Sequence, residues 1–212
     1  MRKIIRFCCL ALGTALLLAA VVLVLHNITE DRQGGRQSEL LLADLKEVIP
    51  EPETETMLSA EVYDLFAEYD QEPETVSMQE IEINGKFYIG WLAVPGLALE
   101  LPVLSEWNYP DLKTAPCRYA GTLQEHNLVI CAHNYQTHFG RIQELNSDDQ
   151  IIFTDVSGRK FYYSVINTEQ IPGTAPEEIR SGHAEDWDLT LFTCTLDGQN
   201  RVTVRAAEEA ES

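Results

Sequence analysis

The sequence predicts a mainly β fold, a closed or nearly closed barrel of about eight strands with few helices, preceded by a transmembrane helix. Residues 81–212 hold many short apolar or alternating runs separated by turn-forming residues. The last two runs, Asp188–Thr193 and Arg201–Arg205, alternate between polar and apolar residues around the turn-rich loop Leu196–Asn200. An uncharged run near the N-terminus, Phe7–Leu25, supplies the third observation.

Composition sets the class of protein. The chain has 212 residues, 45% of them hydrophobic, which is enough to bury a core. Its net charge of -19 argues against nucleic acid and against an anionic lipid surface as the partner of the main domain. Residues 27–80 carry 15 acidic and three basic residues, so about half of this acidity lies in a connecting segment.

The N-terminal run fits an uncleaved membrane anchor, with residues 1–26 as a cytoplasmic tip and a transmembrane helix. It is 19 residues long and would span about 28 Å as a helix, close to the hydrocarbon core of a bilayer. A cleaved signal peptide is the alternative, but its apolar part is shorter and ends in small residues. Because three basic residues precede the run, the N-terminus is expected in the cytoplasm and the remainder outside.

Residues 27–80 are expected to form an acidic extracellular stalk. Gln33–Arg36 contains two glycines and is interpreted as a flexible start, and Leu40–Ile49 as a short amphipathic helix stopped by Pro50. After acidic, proline-containing sequence, a second helix is expected, capped by Ser59 and with Val62, Leu65, Phe66 and Tyr69 on one face. The segment is either a spacer or, through this second helix, a part packed on the main domain.

The main domain, residues 81–212, is predicted to consist of short strands. The expected strands before the closing pair are Phe87–Val94, Ala98–Val103, Asn127–Ala132, Gln150–Thr154 and Lys160–Ile166. Pro102 within the second of these indicates an edge or a bend, and Asp155–Gly158 predicts a hairpin turn. Short helices are expected at Phe139–Leu145 and Pro176–Ser181.

Three cysteines follow the membrane run, and an odd number outside the cytoplasm leaves at least one thiol unpaired. Cys131 lies within an apolar run and is expected to pack as a small hydrophobe; a Cys117–Cys131 disulfide is an open alternative. Cys194 ends a predicted strand beside a polar loop, where it is accessible. It is therefore the candidate nucleophile.

A cysteine nucleophile needs a proton-handling partner and a stabiliser for negative charge on oxygen. His133 directly follows a buried strand, so it would be held rigidly; the alternative is a strand-end histidine bonded to the backbone. Arg201 begins the strand after Cys194 and keeps its positive charge; its alternative role is a surface salt bridge with Asp197 or Asp188. His126 and His183 are expected to be solvated, and His138 lacks companions at metal-ligand spacing.

Together these motifs resemble the sortases, the cysteine transpeptidases of Gram-positive cell surfaces. The resemblance is carried by Thr193-Cys194 at a strand end, Arg201–Val204 after a loop, and Val129–Asn134 before them, with Ile89–Leu97 similar to the family's opening strands. It covers about residues 87–206, in the family's order. His133-Asn134 is similar to class B sortases, but the loop before the cysteine strand is too short for the long helix of that class.

The resemblance implies an eight-stranded sortase barrel over residues 81–212 and assigns roles to its residues. Cys194 would attack a sorting signal of the Leu-Pro-x-Thr-Gly type, His133 would protonate the leaving amine, and Arg201 would hold the oxyanion. Thr193 and Asn134, beside these residues, are expected to contact the substrate. An amine of a peptidoglycan precursor or of a pilin would resolve the thioester, and the exchange requires no cofactor.

Two features depart from the family pattern: the aromatic Phe192 before the motif threonine, and Cys131 two residues before the histidine. Neither changes the three candidate catalytic positions. Two other functions stay open at this point, a secreted cysteine peptidase acting on cell-wall peptides and a non-catalytic surface binding module. Peptidases of that kind usually place the cysteine before the histidine and at the N-terminus of a helix, whereas here the histidine comes first.

Overall fold

A computed structural model of the protein describes residues 2–50, 78–180 and 187–209. The predicted second stalk helix and His183 lie outside these ranges. The helices are α1 (Arg2–Val48), α2 (Tyr109–Leu112) and α3 (Pro176–Arg180), with short 3-10 helices at Pro95–Leu97 and Ile142–Glu144. The strands are β1 (Ile81–Ile83), β2 (Lys86–Val94), β3 (Leu99–Leu104), β4 (Cys117–Ala120), β5 (Leu128–Cys131), β6 (Gln150–Asp155), β7 (Lys160–Pro172), β8 (Leu189–Cys194) and β9 (Asn200–Glu208).

Eight of the nine strands close into a barrel, which confirms the predicted fold class. Their order is β2-β3-β4-β5-β8-β9-β7-β6, and β6 pairs back onto β2; β1 is added outside as a hairpin with β2. Two neighbouring pairs are parallel, β3–β4 and β5–β8, and the others are antiparallel. Because β5 and β8 are parallel, they end at the same edge of the barrel, where the residues that follow them meet.

The barrel has its sparsest strand pairing between β3, which contains Pro102, and β4. β3 pairs along its length with β2 but meets β4 only at Leu104–Cys117. Pro102 cannot donate a ladder hydrogen bond, so its strand behaves almost as an edge strand on one side. The expectation of an edge or bend at Pro102 is thereby confirmed.

Two apolar clusters stabilise the fold, one inside the barrel and one outside it. The inner cluster is built from alternate strand residues, among them Ile89, Leu92, Ile130, Leu191 and Val204. The outer cluster fills the space between the barrel wall and the helices and includes Leu45, Tyr88, Leu104, Cys117, Cys131, Ile179 and Phe192. Successive strand residues point to opposite faces, so β8 contributes Leu191 inward and Phe192 outward.

The first helix differs from the expected stalk. α1 runs without interruption from the apolar segment through Gln33–Arg36, so the flexible start and the separate helix from Leu40 were wrong. Its C-terminal half packs on the barrel and buries Leu42 and Leu45, and Ile49, directly after the helix, is buried as well. Each buried aliphatic side chain contributes about 1.5–3 kcal/mol, which offsets the roughly 1 kcal/mol that a glycine costs inside a helix. The helix ends just before Pro50, as predicted.

The N-terminal half of α1 is long and apolar enough to cross a membrane, and the apolar window is entirely exposed on the protein. The remaining short elements agree in part with expectation. α3 and the Asp155–Gly158 turn are present, and the short helix expected at Phe139–Leu145 is present in part: turns lead into a 3-10 helix of three residues, Ile142–Glu144.

Candidate active site

The β8–β9 hairpin brings Cys194 and Arg201 together. The two residues are direct partners in the antiparallel ladder. The next pair outward is hydrogen-bonded, from the Thr195 amide to the Asn200 carbonyl at 3.0 Å. Since the two kinds of pair alternate, Cys194 and Arg201 form a non-hydrogen-bonded pair, in which Cα atoms approach to about 4.5 Å and both side chains leave the same face.

The parallel β5–β8 pair brings His133 to the same place. Its last ladder pair is Cys131–Phe192, and the Ala132 amide then donates to the Phe192 carbonyl at 3.2 Å. β5 ends at Cys131, and continuing its register by two residues would align His133 with Cys194. The three candidate catalytic residues thus lie on neighbouring strand ends at one edge of the barrel.

Thr193 fastens the two strand ends to each other. Its hydroxyl donates a hydrogen bond of 2.8 Å to the Ala132 carbonyl, and both residues are buried. A buried carbonyl needs such a partner because water cannot reach it. The hydroxyl of Thr193 therefore holds β5 against β8 one residue before His133 and Cys194.

The His133 imidazole is half-buried and stacks on the ring of Tyr135, with centroids 4.6 Å apart and planes 8° from parallel. Burial lowers the pKa of His133 below its ordinary value, and the nearby charge of Lys113 lowers it further. Glu30 and a side-chain hydrogen bond with Asn134 act in the opposite direction on the same pKa. The net effect is a pKa below the ordinary value, which favours the neutral imidazole more than in an exposed histidine.

Arg201 is held by backbone carbonyls rather than by acids. Its Nη1 donates to the carbonyls of Gly198 and Asn200, each at 3.0 Å. Within the described chain it forms no salt bridge with Asp197 or Asp188, the alternative that the sequence left open. A planar guanidinium presents five N–H donors, so this arrangement leaves Nη2 and Nε for an incoming oxygen.

Cys194 is exposed and opens onto a groove of about 450 Å³ at the mouth of the barrel. The groove lining is mostly amides and hydroxyls, which can hydrogen-bond an extended peptide backbone. It consists of Asn134, Gln136, Phe139, Gly140, Gln143, Gln170, Thr193, Cys194, Thr195, Leu196, Asp197, Asn200 and Val202. Thr193 and Asn134, which were expected to contact the substrate, both line the groove. His133 directly precedes Asn134, and Arg201 is the ladder partner of Cys194.

An aromatic cluster lies on the outer face of the same strand. Phe192 is two residues before Cys194, so the two side chains share that face. The Tyr119 ring meets Phe192 edge-on at 5.1 Å, Trp107 lies 5.7 Å from Tyr119, and the Arg180 guanidinium stands 4.9 Å over Tyr119. Trp107 is 43% exposed, so the cluster carries exposed apolar surface on the outer side of the barrel wall to which Phe192 belongs.

The other two cysteines of the domain are buried and free. Cys117 and Cys131 are direct partners across β4 and β5, yet no disulfide joins them. Burial raises the pKa of Cys117 to about 12 and raises that of Cys131 further still, which makes both poor nucleophiles. Among the residues described, no group of three histidine, cysteine or acidic side chains could hold a metal ion.

Sequence reasoning missed Tyr135 and the contacts of α1 with the loop after His133. Gly34 and Gly35 suggested flexibility, which hid the helix face that continues through them. His126, expected to be solvated, is about half exposed but lies 3.3 Å from Asp188 and 3.2 Å from Glu208.

Comparisons with known proteins agree with this architecture. The model of the Sortase domain matches residues 92–209. Sortase A of Bacillus anthracis is 25% identical over 134 residues, which cover 58% of this chain and 60% of that protein. The chain therefore spans less than two thirds of the length of this relative.

Two solved structures share the fold. Sortase C1 from Streptococcus agalactiae superposes with a TM-score of 0.54 at 16% identity, over 62% of this chain and 72% of that one. Sortase C from Clostridium perfringens, solved with the C-terminal cell wall sorting motif, superposes with a TM-score of 0.52 at 20% identity, over 66% of this chain and 78% of that one. The domain match covers more than half of the sequence, with the closed barrel and the Cys194, His133 and Arg201 constellation inside it: the chain belongs to the sortase family.

Proposed function

We propose that the protein is a membrane-anchored cysteine transpeptidase that cleaves a C-terminal sorting signal and transfers the protein that carries it to an amine. The observation that carries the proposal is the pairing of Cys194 with Arg201 on β8 and β9 beside an open groove, with His133 two residues after the end of the neighbouring strand β5. Family membership and the exposed thiol support it.

In the first half-reaction, the Cys194 thiolate attacks the carbonyl carbon of the scissile peptide bond. The negative charge that develops on the carbonyl oxygen is stabilised by Nη2 and Nε of Arg201. As the tetrahedral intermediate collapses, the imidazolium of His133 gives its proton to the departing amine, leaving a thioester on Sγ.

The second half-reaction reverses these roles. An acceptor amine attacks the thioester carbonyl, neutral His133 takes the proton of that amine, and Cys194 leaves as a thiolate. One amide replaces another, so the exchange needs no cofactor or energy source. The acceptor that we propose is an amine of a peptidoglycan precursor or of a pilin.

The substrate that we propose is a Leu-Pro-x-Thr-Gly-like peptide. The C. perfringens relative was solved with a sorting motif, which supports this class of substrate for the family fold. In this chain, the aromatic cluster around Phe192 offers apolar surface for the leucine-proline part, and the amide-lined groove offers hydrogen bonds to the backbone.

The apolar half of α1 supports anchoring as a single-pass protein with the barrel outside the cell. Its length and composition fit a bilayer, and the basic residues lie on its N-terminal side. We propose that residues 1–26 form the cytoplasmic tip and anchor and that residues 81–212 form the catalytic domain, with the C-terminal half of α1 docked on it.

A panel of fluorescent Leu-Pro-x-Thr-Gly-like peptides, incubated with the protein with and without an amine acceptor, tests the proposal. Transpeptidation predicts faster cleavage and a ligated product when the amine is present, and a thioester on Cys194 by intact mass. Cleavage that gives only the hydrolysed acid would favour a peptidase. Peptide binding without any covalent adduct would favour a binding module.

A further inference from the structure

One face of α1 combines an apolar half with a polar half that reaches the candidate site. Asp31, Gly34, Ser38, Leu42 and Leu45 follow one another at intervals of three and four residues, which places them on one side of a helix. Leu42 and Leu45 are buried against the barrel. Asp31, Gly34 and Ser38 instead contact the loop that follows His133.

Asp31 holds the backbone of that loop. Its carboxylate accepts the amide hydrogens of Gln136 and Thr137, each at 3.1 Å, and the hydroxyl of Thr137 at 2.6 Å. The Thr137 hydroxyl also lies 3.0 Å from the Asp31 carbonyl. Hydrogen bonds to an ionised acceptor are shorter and stronger than neutral ones, so these bonds fix the turn that begins at His133.

Gly34 permits a close approach that larger residues would block. A Cβ atom at this position would lie 2.9 Å from the Lys113 carbonyl and 3.1 Å from two ring carbons of Tyr135. The ring of Tyr135 is therefore held between the backbone of α1 and the imidazole of His133, on which it stacks at 4.6 Å. One turn later, the Ser38 hydroxyl lies 3.0 Å from Nε2 of His138, which closes the loop from its other end.

We propose that this face of α1, through Asp31 and Gly34, positions the His133 imidazole for proton transfer, acting through the 134–137 turn and the ring of Tyr135. The inference rests on the proposed function and deepens it: the anchor helix is part of the active-site scaffold. Asp31 and Gly34 touch neither substrate nor reacting atoms, so they are positioning residues. An acid that protonates a departing amine must be aligned within hydrogen-bonding distance, and small misplacements carry large costs in rate.

Two substitutions in the full-length protein, purified in detergent micelles, test the proposal. Asp31→Ala removes the three carboxylate bonds to the turn, and Gly34→Ala crowds both the Lys113 carbonyl and the Tyr135 ring while raising the intrinsic helix propensity. Both are expected to lower kcat by roughly 10-fold or more with KM changed less than about twofold. Asp31→Asn keeps one acceptor oxygen and should recover part of the lost kcat.

Matched controls separate positioning from general stability. Gly13→Ala makes the same chemical change in the same helix where nothing lies within 4 Å, and Lys46→Ala breaks the 2.7 Å pair with Glu100 at the far end of the helix. Both controls should keep wild-type kcat. A kcat within twofold of wild type in Asp31→Ala and Gly34→Ala, or an equal loss in the controls, would overturn the inference.

A readout that needs no substrate separates this inference from the proposed function. The stacked Tyr135 ring shifts the proton resonances of the His133 imidazole upfield, and amide exchange at Gln136 and Thr137 reports the bonds to Asp31. Asp31→Ala should speed exchange of these two amides and move the His133 signals downfield. If the wild-type protein turns over no peptide but Asp31→Ala produces these spectral changes, the proposed function fails and the positioning stands. If the wild-type protein is active but Asp31→Ala leaves the signals unchanged, the proposed function stands and the positioning fails.

Discussion

Cys194 and Arg201 are direct partners in the non-hydrogen-bonded part of the β8–β9 ladder, so the thiol and the guanidinium leave the same face of the hairpin. The loop between them is short, and Nη1 of Arg201 already bonds to the loop carbonyls of Gly198 and Asn200. The cation is thus fixed by the hairpin itself. It cannot leave this position without breaking both hydrogen bonds.

This pairing predicts that the shape of the arginine matters as well as its charge. Arg201→Lys keeps the positive charge but loses the planar fork, so kcat should fall on the order of 100-fold, as when one oxyanion donor is removed. Cys194→Ala should abolish turnover, and His133→Ala should nearly do so. Peptide cleavage and acyl-enzyme formation by intact mass provide the measurement.

The control for this prediction is Arg159→Lys, since Arg159 lies in the exposed β6–β7 turn with Asp155 at 3.6 Å. It should keep wild-type turnover. Full activity of Arg201→Lys, or of either variant at Cys194 or His133, would contradict the roles assigned to these residues.

The pKa of His133 should respond to two nearby charges in opposite directions. Lys113 lowers this pKa and Glu30 raises it, and the two side chains lie 3.6 Å apart. Lys113→Gln removes a repelling charge and should raise the pKa, whereas Glu30→Gln should lower it. NMR titration of the imidazole in each variant measures both shifts; shifts of the same sign would show that the charges act indirectly.

The site was predictable from sequence because its parts are local. Alternation around Leu196–Asn200 defines the hairpin that pairs Cys194 with Arg201, and the apolar run ending at Cys131 places His133 at a strand end. These residues come close together once the strands pair in the correct register, and the register follows from which residues are buried. The family resemblance, in turn, fixed which strands are neighbours.

The docking of α1 was not predictable in the same way. Gly34 and Gly35 lower helix propensity, and the partners that compensate, Lys113, Tyr135 and Thr137, are distant in sequence. The low helix propensity of glycine is overridden here because its lack of a side chain lets the helix backbone pack closely against the barrel. The stack of Tyr135 on His133 depends on this docking, so no local pattern could reveal it.

The free energy of unfolding should decrease as the pH is lowered, because of His138. Burial lowers the pKa of His138 to about 4. Since Ser38 donates its hydrogen to the Thr114 carbonyl, its oxygen accepts from Nε2–H of His138. Protonation then places a hydrogen on Nδ1, which is buried with no hydrogen-bond partner in the described part of the chain.

The unfolded chain therefore binds this proton more readily than the folded one. The stabilisation is complete above about pH 6.5, the ordinary value, and is lost as pH falls toward 4. The loss amounts to roughly 3 kcal/mol. Denaturant titrations at pH 7 and pH 4 measure how much unfolding free energy each protein loses between the two pH values. His138→Gln should lose less than wild type by about this amount. An equal loss in the two proteins would contradict the prediction.

Two buried threonines should respond oppositely to replacement by valine, a change that keeps shape and removes a hydroxyl. Thr193 satisfies the Ala132 carbonyl, so Thr193→Val leaves a buried acceptor unpaired and should cost about 1–3 kcal/mol of unfolding free energy. Thr203 is fully buried and its hydroxyl has no hydrogen-bond partner among the described residues, so Thr203→Val relieves a desolvated polar group and should be neutral or stabilising by about 1 kcal/mol. Chemical denaturation followed by tryptophan fluorescence compares the two.

Activity distinguishes the same pair. The Thr193 bond joins β5 to β8 one residue before His133 and Cys194, so its loss loosens the spacing between acid and nucleophile. Thr193→Val should therefore lower kcat about 10-fold even at temperatures where the variant is fully folded, and Thr203→Val should leave kcat unchanged. Equal stability and equal kcat in the two variants would show that the Thr193 hydroxyl does not hold the strand ends together.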